Sequence, residues 1–485
     1  MNPARRNFLL GAAAAVGAAS HVKLLAQPDP AARNRLRIPE LIDARRQGQA
    51  IALEARFGRS EFFPGQQSLT MGYNGSYLGP TLRMQRGDDV EVAVSNSLDQ
   101  DTTVHWHGLL VPGDRDGGPH QNIVPGTTWR PVLPVRQPGA TLFYHSHAHG
   151  RTGEQVYAGL AGMLLVHDPR EDALGLPSEY GVDDLPLVIQ DRQFAGGRLV
   201  EPAGMMSVMH GRRGNTLLVN GTANAEVRVP VGTVRLRLVN ASNARTYLLA
   251  FDDRRAFHWI ASDGGLLPAP VTLRSLSLAA GERAEILVDF SDGKAAQMVS
   301  GPDTGMPMMG GMIGRREAPA DETVLAFVPV GPAQQAAQLP ARLGVVPAAD
   351  AGTAVRRRRL TLEMGMAGMG RMGAMHGGGF SISGKPFDMQ RVDHRVRLGD
   401  TEIWEVSGDM MVHPFHVHGV HFQVLSRNGH APTLRDQGLR DTVVVGEPVE
   451  LLMRFTQPSG RAPFMYHCHI LEHEDAGMMG QFTTA

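Results

Sequence analysis

The stretch YHCHILEHEDAGMM, residues 466–479, holds Cys468, the only cysteine in 485 residues. His467 and His469 flank it, His473 follows five residues later, and Met478 five residues after that. One cysteine cannot form an intramolecular disulfide, so Cys468 is either a free thiol or a ligand. With His413 from the upstream HPFHVHG, the residues Cys468, His473 and Met478 supply two imidazoles, a thiolate and a weak thioether, the donor set of a blue-copper electron-transfer site. Soft sulfur donors stabilise Cu(I) and imidazoles accommodate Cu(II), so such a site cycles with little rearrangement. An electron arriving at the Cys468 sulfur would have a short covalent route to any metal bound by the two adjacent histidines.

Those histidines belong to a larger pattern. His105/His107, His145/His147, His416/His418 and His467/His469 all read H-x-H, and chance placement of 20 histidines in 485 residues gives about one such pair. On a strand, residues i and i+2 face the same side, so each pair offers two imidazoles to one place. Two pairs lie near the N-terminal end and two near the C-terminal end, so each set of four is half of a site. Imidazole alone does not select among copper, zinc, iron and nickel. The first set contains YHSHAHG, in which Ser146 stands where the second has Cys468, so one thiolate centre is expected.

Strands must position these pairs. A glycine followed by apolar alternation occurs in GDDVEVAVSNSL from Gly87, GTVRLRLVNAS from Gly232 and GDTEIWEVSG from Gly399. A second recurrent segment occurs in GTTWRPVLPV from Gly126, GERAEILVDF from Gly281 and GEPVELLMRF from Gly446. The spacings are 145 and 167 residues in the first set and 155 and 165 in the second, which predicts three copies of one β-sandwich. Boundaries are expected near 167–181 and 330–355, where turn-forming and Ala/Pro/Gln-rich residues gather. The middle unit has only His210 and His258 and reads as a spacer without metal.

The formal net charge of −1 and a pI near 7.1 give no electrostatic footprint for nucleic acid or an anionic membrane. Arg5 and Arg6, followed by an apolar run from Phe8 to about Ala19, have the layout of a twin-arginine export signal over residues 1–26. A periplasmic location is therefore expected.

HWHG, HSH, HPFHVHG and HCHILEHEDAGMM, in this order across three repeats, resemble the copper motifs of the multicopper oxidases. The resemblance covers essentially the whole mature chain and implies an all-β fold of three cupredoxin-like Greek-key β-sandwich domains. Domain 1 (45–170) would hold half of a trinuclear copper cluster, domain 2 (182–330) would be a copper-free spacer, 331–355 a linker, and domain 3 (356–485) the other half with type 1 copper. Four copper ions are implied. By position, type 1 copper would take His413, Cys468, His473 and Met478, and type 2 copper His105 and His416. The type 3 pair would take His107, His145 and His469 on one ion, and His147, His418 and His467 on the other. The implied reaction is four one-electron oxidations coupled to reduction of O2 to water. Asp116 and Glu474 match acidic positions that deliver protons to the cluster in similar enzymes.

Two methionine- and glycine-rich stretches, 305–314 and 362–379, bear on the electron donor. Glycine-interrupted segments have no continuous apolar face to bury, and exposed thioethers make soft ligands for Cu(I). In the bacterial copper-resistance oxidases that this chain resembles, residues matching Asp409, Met411 and Met364 bind substrate Cu(I) beside type 1 copper. A further acidic residue used there is missing from MGMAGMG, and Glu363 is the nearest substitute. The expected function is a monomeric, periplasmic cuprous oxidase serving copper tolerance, with O2 and Cu(I) as partners. The alternatives are a laccase-like oxidase of phenols and aromatic amines, and a non-catalytic copper-binding or storage protein.

Overall fold

In the segment Asp89–Asn96, buried Val90, Val92 and Val94 alternate with Asp89, Glu91, Ala93 and Ser95, which turn outward, and this period of two places the strand half in a core. The same rule operates in all three units of the chain. The structure, a computed structural model, describes residues 33–305, 321–333, 339–365 and 379–485. The expected leader (1–26), and nearly all of the two methionine-rich stretches, lie outside the described residues.

The two recurrent segments seen in the sequence are hydrogen-bonded neighbours in every unit. Asp89–Asn96 pairs antiparallel with Val132–Pro134, Thr233–Asn240 with Arg283–Asp289, and Thr401–Gly408 with Val449–Arg454. On its other side each first segment pairs in parallel with a long strand: Ala50–Phe63, Asp184–Arg192 or Arg356–Met364. A second sheet faces each of these, and the inward residues of the two sheets form one apolar core per unit. The fold is three cupredoxin-like β-sandwiches, as the motifs implied.

The N-terminal stretch is used differently from expectation. Leu41–Asp43, ahead of residue 45, pairs with Thr81–Arg83 in the first sandwich. Asn34–Arg35 pairs with Ala225–Glu226 and extends a sheet of the middle sandwich. Within the segment expected to be a plain linker, Leu343 is buried and its backbone N–H donates to Pro268 O at 3.0 Å.

The histidine pairs sit on the sheets that face the neighbouring unit. His105–His107 pairs with Ala140–His145 so that His105 lies opposite His145. His413–Val417 pairs with Phe464–Cys468 so that His416 lies opposite His467 and Phe415 opposite Cys468. A one-residue slip in either ladder would turn every histidine to the wrong face.

A buried ion network fastens the first unit to the middle one. Glu285 accepts from Thr141 Oγ1 at 2.7 Å, from Arg235 Nε at 2.8 Å and from Arg237 Nη1 at 3.0 Å. Burial opposes its charge, but Arg235 and Arg237 bring its pKa down to about 2, from 4.5. This contribution to stability is present in full above the unfolded value and is lost as pH falls through the folded one. Glu285→Gln should cost roughly 3–5 kcal/mol at neutral pH, because it leaves buried Arg235 without its carboxylate, while Arg237 keeps Asp184. In urea unfolding, the difference from wild type should shrink between pH 4.5 and 2.

Candidate metal centres

Eight buried histidines, four from each terminal sandwich, meet face to face. His105 stacks on His418 and His107 on His416, each pair with ring centroids 3.7 Å apart and planes 17° apart. The hydrogen-bond partners fix which nitrogens are bare, because a carbonyl only accepts. His105 Nδ1 donates to Asp116 O at 3.0 Å and His416 Nδ1 to Asp441 O at 2.9 Å, so their Nε2 lone pairs confront each other at 3.4 Å. His145 Nδ1 donates to Ser146 O at 2.8 Å, which leaves its Nε2 bare, 3.4 Å from His107 Nδ1. His467 Nδ1 donates to Cys468 O at 3.0 Å, and its bare Nε2 lies 3.3 Å from His147 Nε2 and 3.2 Å from His418 Nε2. His469 has its ring centroid 5.0 Å from that of His107 and 5.5 Å from that of His145, and neither of its nitrogens has a hydrogen-bond partner among the described residues.

The lone pairs therefore converge at three points. Burial holds His107, His145, His147, His418 and His469 well below the ordinary imidazole pKa and brings His416 down to about 3, so protons do not relieve the repulsion. Cations at these points would, and this donor set fits imidazole-seeking metals.

Three carboxylates surround the cluster. Asp116 accepts from His105 at its carbonyl and from His418 Nδ1 at Oδ2, 2.6 Å away. Asp441 takes His416 at its carbonyl and His107 Nε2 at Oδ1, 3.0 Å away. Burial opposes the charge of Asp441, yet Arg283 and His107 hold its carboxyl well below the usual range. Glu474 accepts from Thr152 Oγ1 at 2.6 Å and lies 3.3 Å from His147 Nδ1 and 3.1 Å from His467 Nδ1. Asp116 is therefore not a plain turn residue, nor Glu474 a surface carboxylate: both are 2% exposed. The sequence reading missed Asp441, Arg283 and Thr442, because LRDTVV carries no pairing or spacing that distinguishes it from an ordinary strand start.

The thiol centre lies within the third sandwich. Cys468 Sγ is 3.5 Å from His413 Nδ1 and 3.6 Å from His473 Nδ1, and the Ile470 backbone N–H donates to the sulfur at 3.4 Å. The outer nitrogens of the two histidines are turned away, His413 Nε2 onto Asp409 O and His473 Nε2 onto Met209 O in the middle unit. Met478 is fully buried in the same apolar cluster, and its carbonyl accepts from the Cys468 N–H. Burial lowers the His413 pKa to about 4 and pushes the Cys468 thiol up, so the thiol keeps its proton until a cation displaces it. The first unit shows what the duplicated site became. Thr102 and Ser146, at the places of His413 and Cys468, are joined instead through Gln155 Oε1.

The substrate candidates adjoin this centre. Met364 and Met411 are buried in the cluster that holds Cys468, and Asp409 Oδ1 accepts from the Met364 N–H at 2.9 Å. Between Asp409 and Met411 the chain makes a tight turn with Met410 at φ 59°, a left-handed conformation that costs a methionine energy and is held by the surrounding bonds. Glu363 does not join them. Its carboxylate accepts from Ser381 Oγ and the Gly384 N–H, on the opposite face of the strand.

Profiles of the multicopper oxidase family match residues 57–171 and 361–485. Among solved structures, the laccase-like multicopper oxidase CueO of Ochrobactrum sp. is 39% identical with a TM-score of 0.85, covering 93% of this chain and 100% of its own. The McoA multicopper oxidase of Aquifex aeolicus is 32% identical with a TM-score of 0.81, covering 93% and 99%. Among curated proteins, the cell division protein FtsP of Yersinia pestis is 39% identical over 100% of this chain and 99% of its own length. The Escherichia coli K12 protein of that name is 40% identical over 92% of each.

The neutral histidines predict a pH dependence. Unfolded histidines titrate near 6.5, whereas these remain unprotonated well below that, so the metal-free protein should be most stable above about pH 6.5 and weaken as pH falls. Copper should raise Tm at pH 7 by roughly 5 °C or more, as a cation that binds only the folded state does. Scanning calorimetry at pH 7 and 5, with and without copper, checks both.

Proposed function

Because the chain belongs to the multicopper oxidase family, we propose that it is a four-copper oxidase that takes single electrons at the Cys468 centre and reduces O2 to water at the histidine cluster, with Cu(I) as donor. The observation that carries the reading is the set of buried imidazole donors converging at three points beside a separate Cys–His–His–Met centre. His413, Cys468, His473 and Met478 would hold type 1 copper and His105 and His416 type 2 copper. The type 3 ions would sit at His107/His145/His469 and His147/His418/His467. Bound copper supplies one-electron transfer and the reduction of oxygen.

The chain's own residues do the rest. Cys468 is covalently continuous with His467 and His469, which gives the electron a short bonded path between the centres. Asp116, at His418 Nδ1, and Glu474, between His147 and His467, are carboxylates positioned to hold protons for the water that forms. Asp409, whose carbonyl takes His413 Nε2, and Met364 and Met411, buried in the cluster that holds Cys468, would offer a carboxylate and two thioethers, a set that favours a soft monovalent cation over a phenol. The paired arginines and apolar run of the N-terminus support export to the periplasm by the twin-arginine route, and copper tolerance is the physiological role in keeping with Cu(I) oxidation there.

A second reading comes from the curated relatives, which are named for cell division and match along nearly the whole chain. A division role without catalysis would not require twelve donors buried around shared points.

Oxygen uptake by the copper-loaded protein separates the readings. Cu(I) as sole donor should sustain uptake well above that with a phenolic donor, and Cys468→Ser should reduce it by roughly a hundredfold or more. Met364→Ala and Asp409→Asn should raise the KM for Cu(I) by about tenfold while leaving the blue absorption intact. Rapid phenol turnover with negligible Cu(I) oxidation would replace the cuprous reading with a laccase-like one. No uptake with either donor would favour the division role.

A further inference from the structure

The middle sandwich supplies no histidine to the cluster, yet its strand Arg283–Asp289 begins beside it. Arg283 is fully buried, and all five of its guanidinium N–H donors are used. Nε donates to Thr141 O at 3.4 Å in the first unit; Nη1 donates to Gly281 O at 2.9 Å and Nη2 to Asp263 O at 3.2 Å in the middle unit. The remaining donors grip both carboxylate oxygens of Asp441 in the third unit, Nη1 at 2.7 Å on Oδ1 and Nη2 on Oδ2. One side chain thus joins the three units at a single point.

Asp441 stands in the same relation to the cluster as Asp116. Each takes a histidine of its own unit on its carbonyl and a histidine of the other terminal unit on its carboxylate. They differ in one respect. Asp116 Oδ1 has no hydrogen-bond partner among the described residues, whereas both oxygens of Asp441 are held by Arg283.

Two glycines report how close this contact is. A Cβ on Gly108, which follows His107, would fall 2.6 Å from Arg283 Nη2 and 2.7 Å from Asp441 Oδ2. A Cβ on Gly281 would fall 2.8 Å from the His469 ring. The glycine of HWHG, already favoured by its φ of 88°, lets the Arg283–Asp441 pair approach the backbone, and the middle unit packs directly on a histidine of the cluster.

We propose that Arg283 is a positioning residue for the cluster: by clamping Asp441 in one orientation it fixes His107, held at the carboxylate, and His416, held at the carbonyl of the same residue, one from each terminal unit, for metal. The middle unit is then part of the copper site's framework, not a spacer. The inference rests on the reading of the histidine cluster as a copper site.

Arg283→Lys decides it, since lysine keeps the charge but has three donors and no planar fork. After copper loading, Arg283→Lys should show an altered electron paramagnetic resonance pattern for the copper held by His105 and His416, and less copper per chain than wild type. The blue absorption of the Cys468 centre should be unchanged. Arg283→Met should lose more copper. Arg358→Met, which removes the buried pair with Glu402 inside the third unit, should lower Tm yet keep the wild-type copper content and resonance pattern. Wild-type spectra and copper content in Arg283→Lys would overturn the inference while leaving the copper reading intact. Absence of copper from the histidines of the wild type would overturn both.

Discussion

Bare imidazole nitrogens buried 3.2–3.4 Å apart repel one another, and the protein holds three such meeting points. The arrangement persists only if the surrounding fold over-determines it. The ladders put His105 opposite His145 and His416 opposite His467, the sandwiches bring the two faces into stacking contact, and outer hydrogen bonds aim most of the rings. A cation turns this stored repulsion into binding, so metal affinity and folding are coupled through the same nitrogens.

The outer bonds cross between units. Asp116 ties His418 to the first unit, Asp441 ties His107 to the third, and Glu474 lies between His147 and His467. Neither half orients all of its histidines alone, because His107 and His418 each rely on a carboxylate of the other terminal unit. Duplication explains the near symmetry, and substitution explains its limits. Thr102, Ser146 and Gln155 closed one thiol centre with hydrogen bonds, while His413, Cys468 and His473 kept the other.

Much of this could be read from the sequence because it is local. Glycine-led alternation marks strands, and H-x-H marks two imidazoles on one face, so the three sandwiches and the grouping of donors follow from short windows. What could not be read depends on distant contacts. Asp441 and Arg283 are 158 positions apart, and nothing near either signals the other. The strands Asn34–Arg35 and Leu41–Asp43 are too short to show a period, and only their edge pairing defines them. Glu363 looked available beside Met364, but strand alternation sends the two side chains to opposite faces. The leader and most of the methionine-rich residues lie outside the described residues, so those readings rest on sequence alone.

Relatives named for cell division and relatives named as oxidases resemble this chain to the same degree, so overall similarity does not choose between them. The converging buried nitrogens favour the oxidase reading proposed above, because a fold kept only as a scaffold has no need of donors that face one another. Anomalous diffraction at the copper edge from crystals of the copper-loaded protein tests this directly. The account predicts one peak enclosed by His413, Cys468, His473 and Met478 and three more among the eight paired histidines. Occupation of the Cys468 centre alone, or of neither site, would contradict it.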